Sequence, residues 1–184
     1  MLEEWPDVCV VFLRYRESFG SWFIDSAMTR FLELEPMCES PIERIMLAIL
    51  IPQEMNRYAV HSCEFRAPPV IVPQHNILNY RVDFALIGGA NDLRIAVECD
   101  GHDFHERTKE QARRDRSRDR ALSAAGWTVL RFTGREIYHH RPRIYADLHA
   151  VMSAACGKPL KPETQVRLAR EADARCDGNK GVSA

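Results

Sequence analysis

The chain has 184 residues, 46% of them hydrophobic and 28% charged, with a formal net charge of −1 at pH 7; that suits one globular domain with trimmings and excludes a multidomain machine. No apolar run approaches the roughly 20 residues of a membrane span, and Met1-Leu2-Glu3-Glu4-Trp5-Pro6 lacks the basic-then-apolar layout of a secretory signal, so no membrane partner and a cytoplasmic location are expected. Near-neutral charge argues against a globally basic nucleic-acid coat but permits a local basic face, and six cysteines without a CxxC pair point to reduced thiols.

Residues 1–38 read as a helical extension: Phe12, Tyr15, Phe19, Trp22, Phe23, Met28, Phe31 and Leu32 recur at three- and four-residue spacings, giving one apolar stripe. A second helix has a marked start, with Ser40 as N-cap, Pro41 at the first helical position and Glu43 completing a capping-box pattern ahead of Ile42, Ile45, Met46 and Ile49. Pro52 is expected to end or kink it. From about Phe65 to Asp100 the period becomes two, with strands at Val70-Ile71-Val72, Tyr80 to Ile87 and Leu93 to Glu98, the last two joined by the turn Gly88 to Asp92. A polar helix from about Glu106 to Ala125 stops at Gly126, a strand runs from Trp127 to Phe132, and a helix from about Gly134 to Ala155 follows. The order predicts an α/β (α+β) class, a central mixed β-sheet flanked by helices over residues 39–155. Residues 156–184 read as a polar tail, with a helical turn near Gln165 to Arg175.

Strand alternation sorts the acids. Val82, Phe84 and Leu86 share one face, leaving Asp83 on the other with Arg81 and Ala85; Ile95, Val97 and Cys99 share a face, leaving Glu98 with Asp100. In a hairpin Asp83 and Glu98 lie side by side, about 4.5–5.5 Å apart at the backbone, where like charges repel. A divalent cation with oxygen ligands, Mg²⁺ or Mn²⁺, answers that repulsion. Pairing with Arg81, Arg94 or Arg131, or a solvated strand end at Asp100-Gly101, accounts for the same acids without a metal.

An ordered set of pieces carries a resemblance. Glu39-Ser40-Pro41-Ile42-Glu43 opens a helix, Gln74 stands nine positions before Asp83 in Tyr80-Arg81-Val82-Asp83-Phe84, Val97-Glu98-Cys99-Asp100-Gly101 precedes His105, and Gly126 to Phe132 (GWTVLRF) follows. Over about residues 39–152 the chain resembles the very-short-patch-repair-endonuclease-like branch of the PD-(D/E)xK nuclease superfamily. The resemblance implies a restriction-endonuclease-like core and metal-dependent hydrolysis of DNA phosphodiester bonds, with Asp83 as the motif aspartate and Glu98 as the acid fourteen intervening positions later. The superfamily's lysine two positions after that acid is Asp100 here, which leaves the water-activating group unassigned.

On this basis Asp83 and Glu98, with the Cys99 backbone carbonyl and Asp100, would hold the metal. His105 would assist as general acid or base or position the phosphate, unless it only bonds backbone at a helix start. Glu43 would complete the metal shell through water, or serve only its cap; Gln74 would reach the same site or cap a strand end. Lys109, Arg113 and Arg116 are candidates for contact with DNA phosphates, whereas Asp115 and Arg118 read as members of a salt-bridged face. Arg131, amid an apolar strand, either pairs with the acids or contacts phosphate. Structural zinc on Cys99, His102 and His105 lacks a fourth ligand at fitting spacing. The competing function is a non-catalytic nucleic-acid-binding module on the same fold. The extension 1–38 is open to three uses: a homodimer surface, a DNA-facing lid or packing alone.

Overall fold

The computed structural model describes residues 6–19, 21–55, 69–88, 92–101 and 109–155. His105, the start of the polar helix before Lys109 and the tail from residue 156 lie outside them.

The apolar spacing at the N-terminus forms two helices, α1 (Pro6–Phe19) and α2 (Ser21–Leu34), followed by a 3-10 turn at Glu35–Met37. Val8, Val11, Phe12, Phe23, Ala27 and Phe31 are buried in the same cluster as Leu86, Ile95 and Val97 of the sheet. Trp22 and Leu32, expected within the buried stripe, are instead exposed, because only one side of α2 meets the core. Helix α3 (Pro41–Met55) carries the run Ile45 to Ile51 wholly buried, and Pro52 sits inside it without ending it. A bidentate pair fixes α2 on α3: Arg30 Nε to Glu54 Oε2 and Nη2 to Glu54 Oε1, both 2.9 Å.

Four strands follow: β1 (Val70–Ile77), β2 (Tyr80–Gly88), β3 (Leu93–Asp100) and β4 (Thr128–Thr133). They lie in the order β1-β2-β3-β4, antiparallel for the first two pairs and parallel for β3 with β4. The class is therefore the expected mixed sheet flanked by helices. β1 is longer than its apolar core suggests and tolerates Pro73 because it is an edge strand. Helix α4 (Lys109–Ala124) makes the parallel crossover and ends as expected at Gly126, φ +81°, with the Trp127 N–H donating to the Leu122 carbonyl at 3.0 Å in a Schellman-type closure. The last expected helix is two, α5 (Gly134–His139) and α6 (Arg141–Ala155). Pro142 lacks the N–H needed to carry α5 onward but fits the first turn of α6.

The sheet thus separates two unequal clusters. Helices α1, α2, α3, α5 and α6 bury the large one, with Phe84, Leu86, Ile95, Val97 and Phe132; α4 covers the smaller, through Leu122 on Val82, Ala85 and Ala96. No helix among the described residues is long and apolar enough to cross a membrane.

Candidate active site

Strict alternation fails at one place, and Asp83 is there. Val82 packs with Ala85 on the α4 side, whereas Phe84 and Leu86 pack on the other, so the expected common face of Val82, Phe84 and Leu86 does not form. In the ladder Pro73 pairs with Phe84 and His75 with Val82, which sets Gln74 opposite Asp83; Gln74 has φ +50°, a left-handed value that rotates the strand by one side-chain phase. The β2–β3 register pairs Phe84 with Val97, so the next step outward sets Asp83 opposite Glu98, as the hairpin argument expects.

Glu43 is buried at the start of α3 and takes three donors. Ser40 Oγ donates to Oε1 at 2.7 Å, and the Glu39 N–H and Gln74 Nε2 donate to Oε2 at 2.8 and 2.9 Å. The Glu43 N–H donates to Ser40 Oγ at 3.3 Å, so the capping box forms, with its return bond shifted to the residue before the cap. Gln74 therefore reaches the site rather than capping a strand end, while its buried Oε1 has no partner among the described residues.

Asp83 Oδ2 accepts from the Cys99 N–H at 2.6 Å, tying the two strands together at the acids. Burial raises its carboxyl pKa above the usual range, Glu43 adds to the rise, and the Cys99 N–H, Arg118 and Arg81 oppose it. Glu98 is buried, and its carboxyl is pushed up to about 7 by that burial, against Arg118 and with help from Asp83. Arg118 of α4 donates from Nη2 both to Glu98 Oε1 and to the Arg81 carbonyl, the latter at 2.6 Å, and its guanidinium lies 5.8 Å from the Tyr80 ring centre. Desolvation therefore outweighs a direct ion pair at Glu98.

The remaining expectations divide. Arg131 Nη2 pairs with Asp119 of α4 at 3.0 Å, and its charge also acts on Glu98, its partner in the β3–β4 ladder. Arg113 and Arg116 are exposed on α4, open to a phosphate backbone; Lys109 opens the helix, but its side chain lies outside the described residues, as does His105. Asp100 lies opposite Thr133 in the β3–β4 ladder, and among the described residues no group of three or more His, Cys, Asp or Glu side chains is gathered. Asp83 and Glu98 each accept from a protein donor. Cys99 packs with Ile95 and Val97, and burial raises its thiol pKa well above the ordinary value.

Two carboxyls on neighbouring strands, Glu98 buried and Asp83 half-buried, each raised by desolvation and by a neighbouring acid, form a hard-oxygen donor set that fits Mg²⁺ or Mn²⁺. The residue missed as part of this site is Arg118. Its signal was its position one helical turn before Leu122, the buried residue of α4, which turns it toward the sheet.

Residues 68–152 match the family model REase_MTES_1575, a span a little under half the chain. A structure titled homing endonuclease I-Bth0305I catalytic domain is similar at TM-score 0.44 and 19% sequence identity, over 64% of this chain and 98% of that one. No curated protein matches the chain. The family match supports a restriction-endonuclease-like nuclease.

Proposed function

We propose that the chain is a metal-dependent endonuclease hydrolysing DNA phosphodiester bonds, of the very-short-patch-repair-like branch, serving repair, restriction or mobile-element processing. The observation that carries the proposal is the placement of Asp83 beside Glu98 on adjacent strands, Asp83 half-buried and held by the Cys99 N–H, Glu98 buried, and both raised above the ordinary carboxylate range. When bound, Mg²⁺ or Mn²⁺ supplies an acidified water and neutralises charge growing on the phosphate. Asp83 and Glu98 would hold it, with the Cys99 carbonyl at the same strand position. Gln74, opposite Asp83 in the β1–β2 register, holds the Glu43 carboxylate of α3 beside the site. Arg113 and Arg116 would take flanking phosphates, a contact weakened steeply by salt.

The test is nicking of supercoiled plasmid in Mn²⁺ by wild type, Asp83→Ala and Glu98→Ala. Cleavage by wild type and its loss in both variants is expected; wild type that cuts no form of DNA sinks the enzyme. One observation favours a non-catalytic DNA-binding module instead: both acids already have protein donors. Such a module would shift labelled DNA in a salt-sensitive manner without cutting it.

A further inference from the structure

The place where related motifs carry a lysine holds Asp100, so β3 supplies no cation beside Glu98 at that position. The structure brings one from α4. Arg118 is half-buried, its side chain 20% exposed against 11% for Glu98, and both of its hydrogen bonds leave from Nη2. Among the described residues, Nη1 and Nε have no protein acceptor. A guanidinium is not deprotonated in proteins, so Arg118 is no general base; it is a fixed positive charge whose Nη2, common to both bidentate edges of the group, is spent on Glu98 and the Arg81 carbonyl. Once Glu98 is released, an edge that includes Nη2 matches the planar, bidentate geometry that phosphate oxygens accept.

We infer that Arg118 is the resident counter-ion of this centre: it holds Glu98 while no divalent ion is bound, and turns to a substrate phosphate when the ion takes Glu98. The inference rests on the nuclease reading and deepens it. Its physical consequence is a sign that a merely structural arginine would not give. Removing the positive charge strengthens divalent-ion binding, because the competitor for Glu98 is gone, and slows cleavage, because the phosphate loses a donor.

The experiment measures Mn²⁺ binding to the full chain by electron paramagnetic resonance, with no DNA present, and plasmid nicking in parallel. Arg118→Met is expected to bind Mn²⁺ about tenfold more tightly than wild type, the effect of deleting one nearby unit charge in a half-buried site. Nicking at saturating Mn²⁺ is expected to fall about a hundredfold, as for loss of one charge-stabilising donor. Arg118→Gln keeps a donor for the Arg81 carbonyl and should show the same tightening, so it decides the matter if the methionine variant fails to fold. Arg118→Lys should return Mn²⁺ affinity to near the wild-type value. Unchanged or weaker Mn²⁺ binding by a folded neutral variant overturns the inference while leaving wild-type cleavage to stand for the enzyme. Tighter binding with unchanged nicking overturns the transfer to phosphate. Tighter binding when no protein nicks DNA supports the counter-ion and sinks the nuclease, and wild type that binds no Mn²⁺ overturns both.

Discussion

Gln74 stands opposite Asp83 across the β1–β2 ladder, and its left-handed φ of +50° marks the point at which both strands change side-chain phase. That irregularity frees Asp83 from the flat alternation that would have placed it beside Ala85 under α4. It leaves the carboxylate between Glu43 of α3 and Arg118 of α4, both of which act on its charge. Backbone held in a sparsely populated region beside paired acids is strain kept where a site needs it.

Gln74→Val should cost more stability than Gln74→Gly, by about 1 kcal/mol or more, because a β-branched residue resists positive φ while glycine accepts it. Both variants lose the bond to Glu43, so their difference isolates the backbone. Urea denaturation measures it, and equal midpoints would show that the left-handed conformation is not held in solution.

Glu43→Ala strands three donors, from Ser40, Glu39 and Gln74, two of them at the mouth of α3. A loss of about 2–4 kcal/mol is expected, on the scale of buried donors left unsatisfied plus a lost cap. Glu43→Gln keeps an acceptor and should lose less. If both melt like wild type, the cap is not what holds this end of the helix.

The metal-free protein should become more stable as pH falls from about 7 toward 4.5. The Glu98 carboxyl sits at about 7 in the fold against 4.5 in the unfolded chain, chiefly through burial. The folded state thus binds its proton more tightly, and that stabilisation is complete below 4.5 and lost as pH rises through 7. Asp83 is shifted in the same direction and adds to the slope. Thermal melts across this window should show it, and Glu98→Gln should flatten the curve. Mn²⁺ affinity runs the other way, declining as pH drops below 7, since the ion needs the carboxylates ionised.

Arg113→Ala and Arg116→Ala should leave the fold intact and weaken DNA binding, each lowering the slope of log affinity against log salt by about 1. Arg131→Ala should instead lower stability, since Arg131 is occupied with Asp119 across the β4–α4 contact. Fluorescence anisotropy on labelled DNA at several salt concentrations separates the two groups. A slope unaffected by either exposed arginine moves the DNA face away from α4.

The elements whose cause is local were legible in the chain. Ser40 and Glu43 start α3, Gly126 stops α4, and the turn between two strand-forming runs gives the hairpin whose register puts Asp83 beside Glu98, although the alternation read along the first of those runs breaks at Asp83. Each depends on hydrogen bonds or periodicity within a few residues, and such information lies in the order of the side chains. The break between α5 and α6 is the exception: one helix was expected from about Gly134 to Ala155, although Pro142 marks the boundary. What the tertiary structure alone decided is which cation meets which acid. Seven basic residues lie between Arg107 and Arg120. Only the docking of α4 through Leu122 selects Arg118 for Glu98, gives Asp119 to Arg131 and leaves Arg113 and Arg116 to solvent. Charge pairing between layers is set by the rotation and height of a helix on a sheet. No spacing along one strand or one helix encodes that.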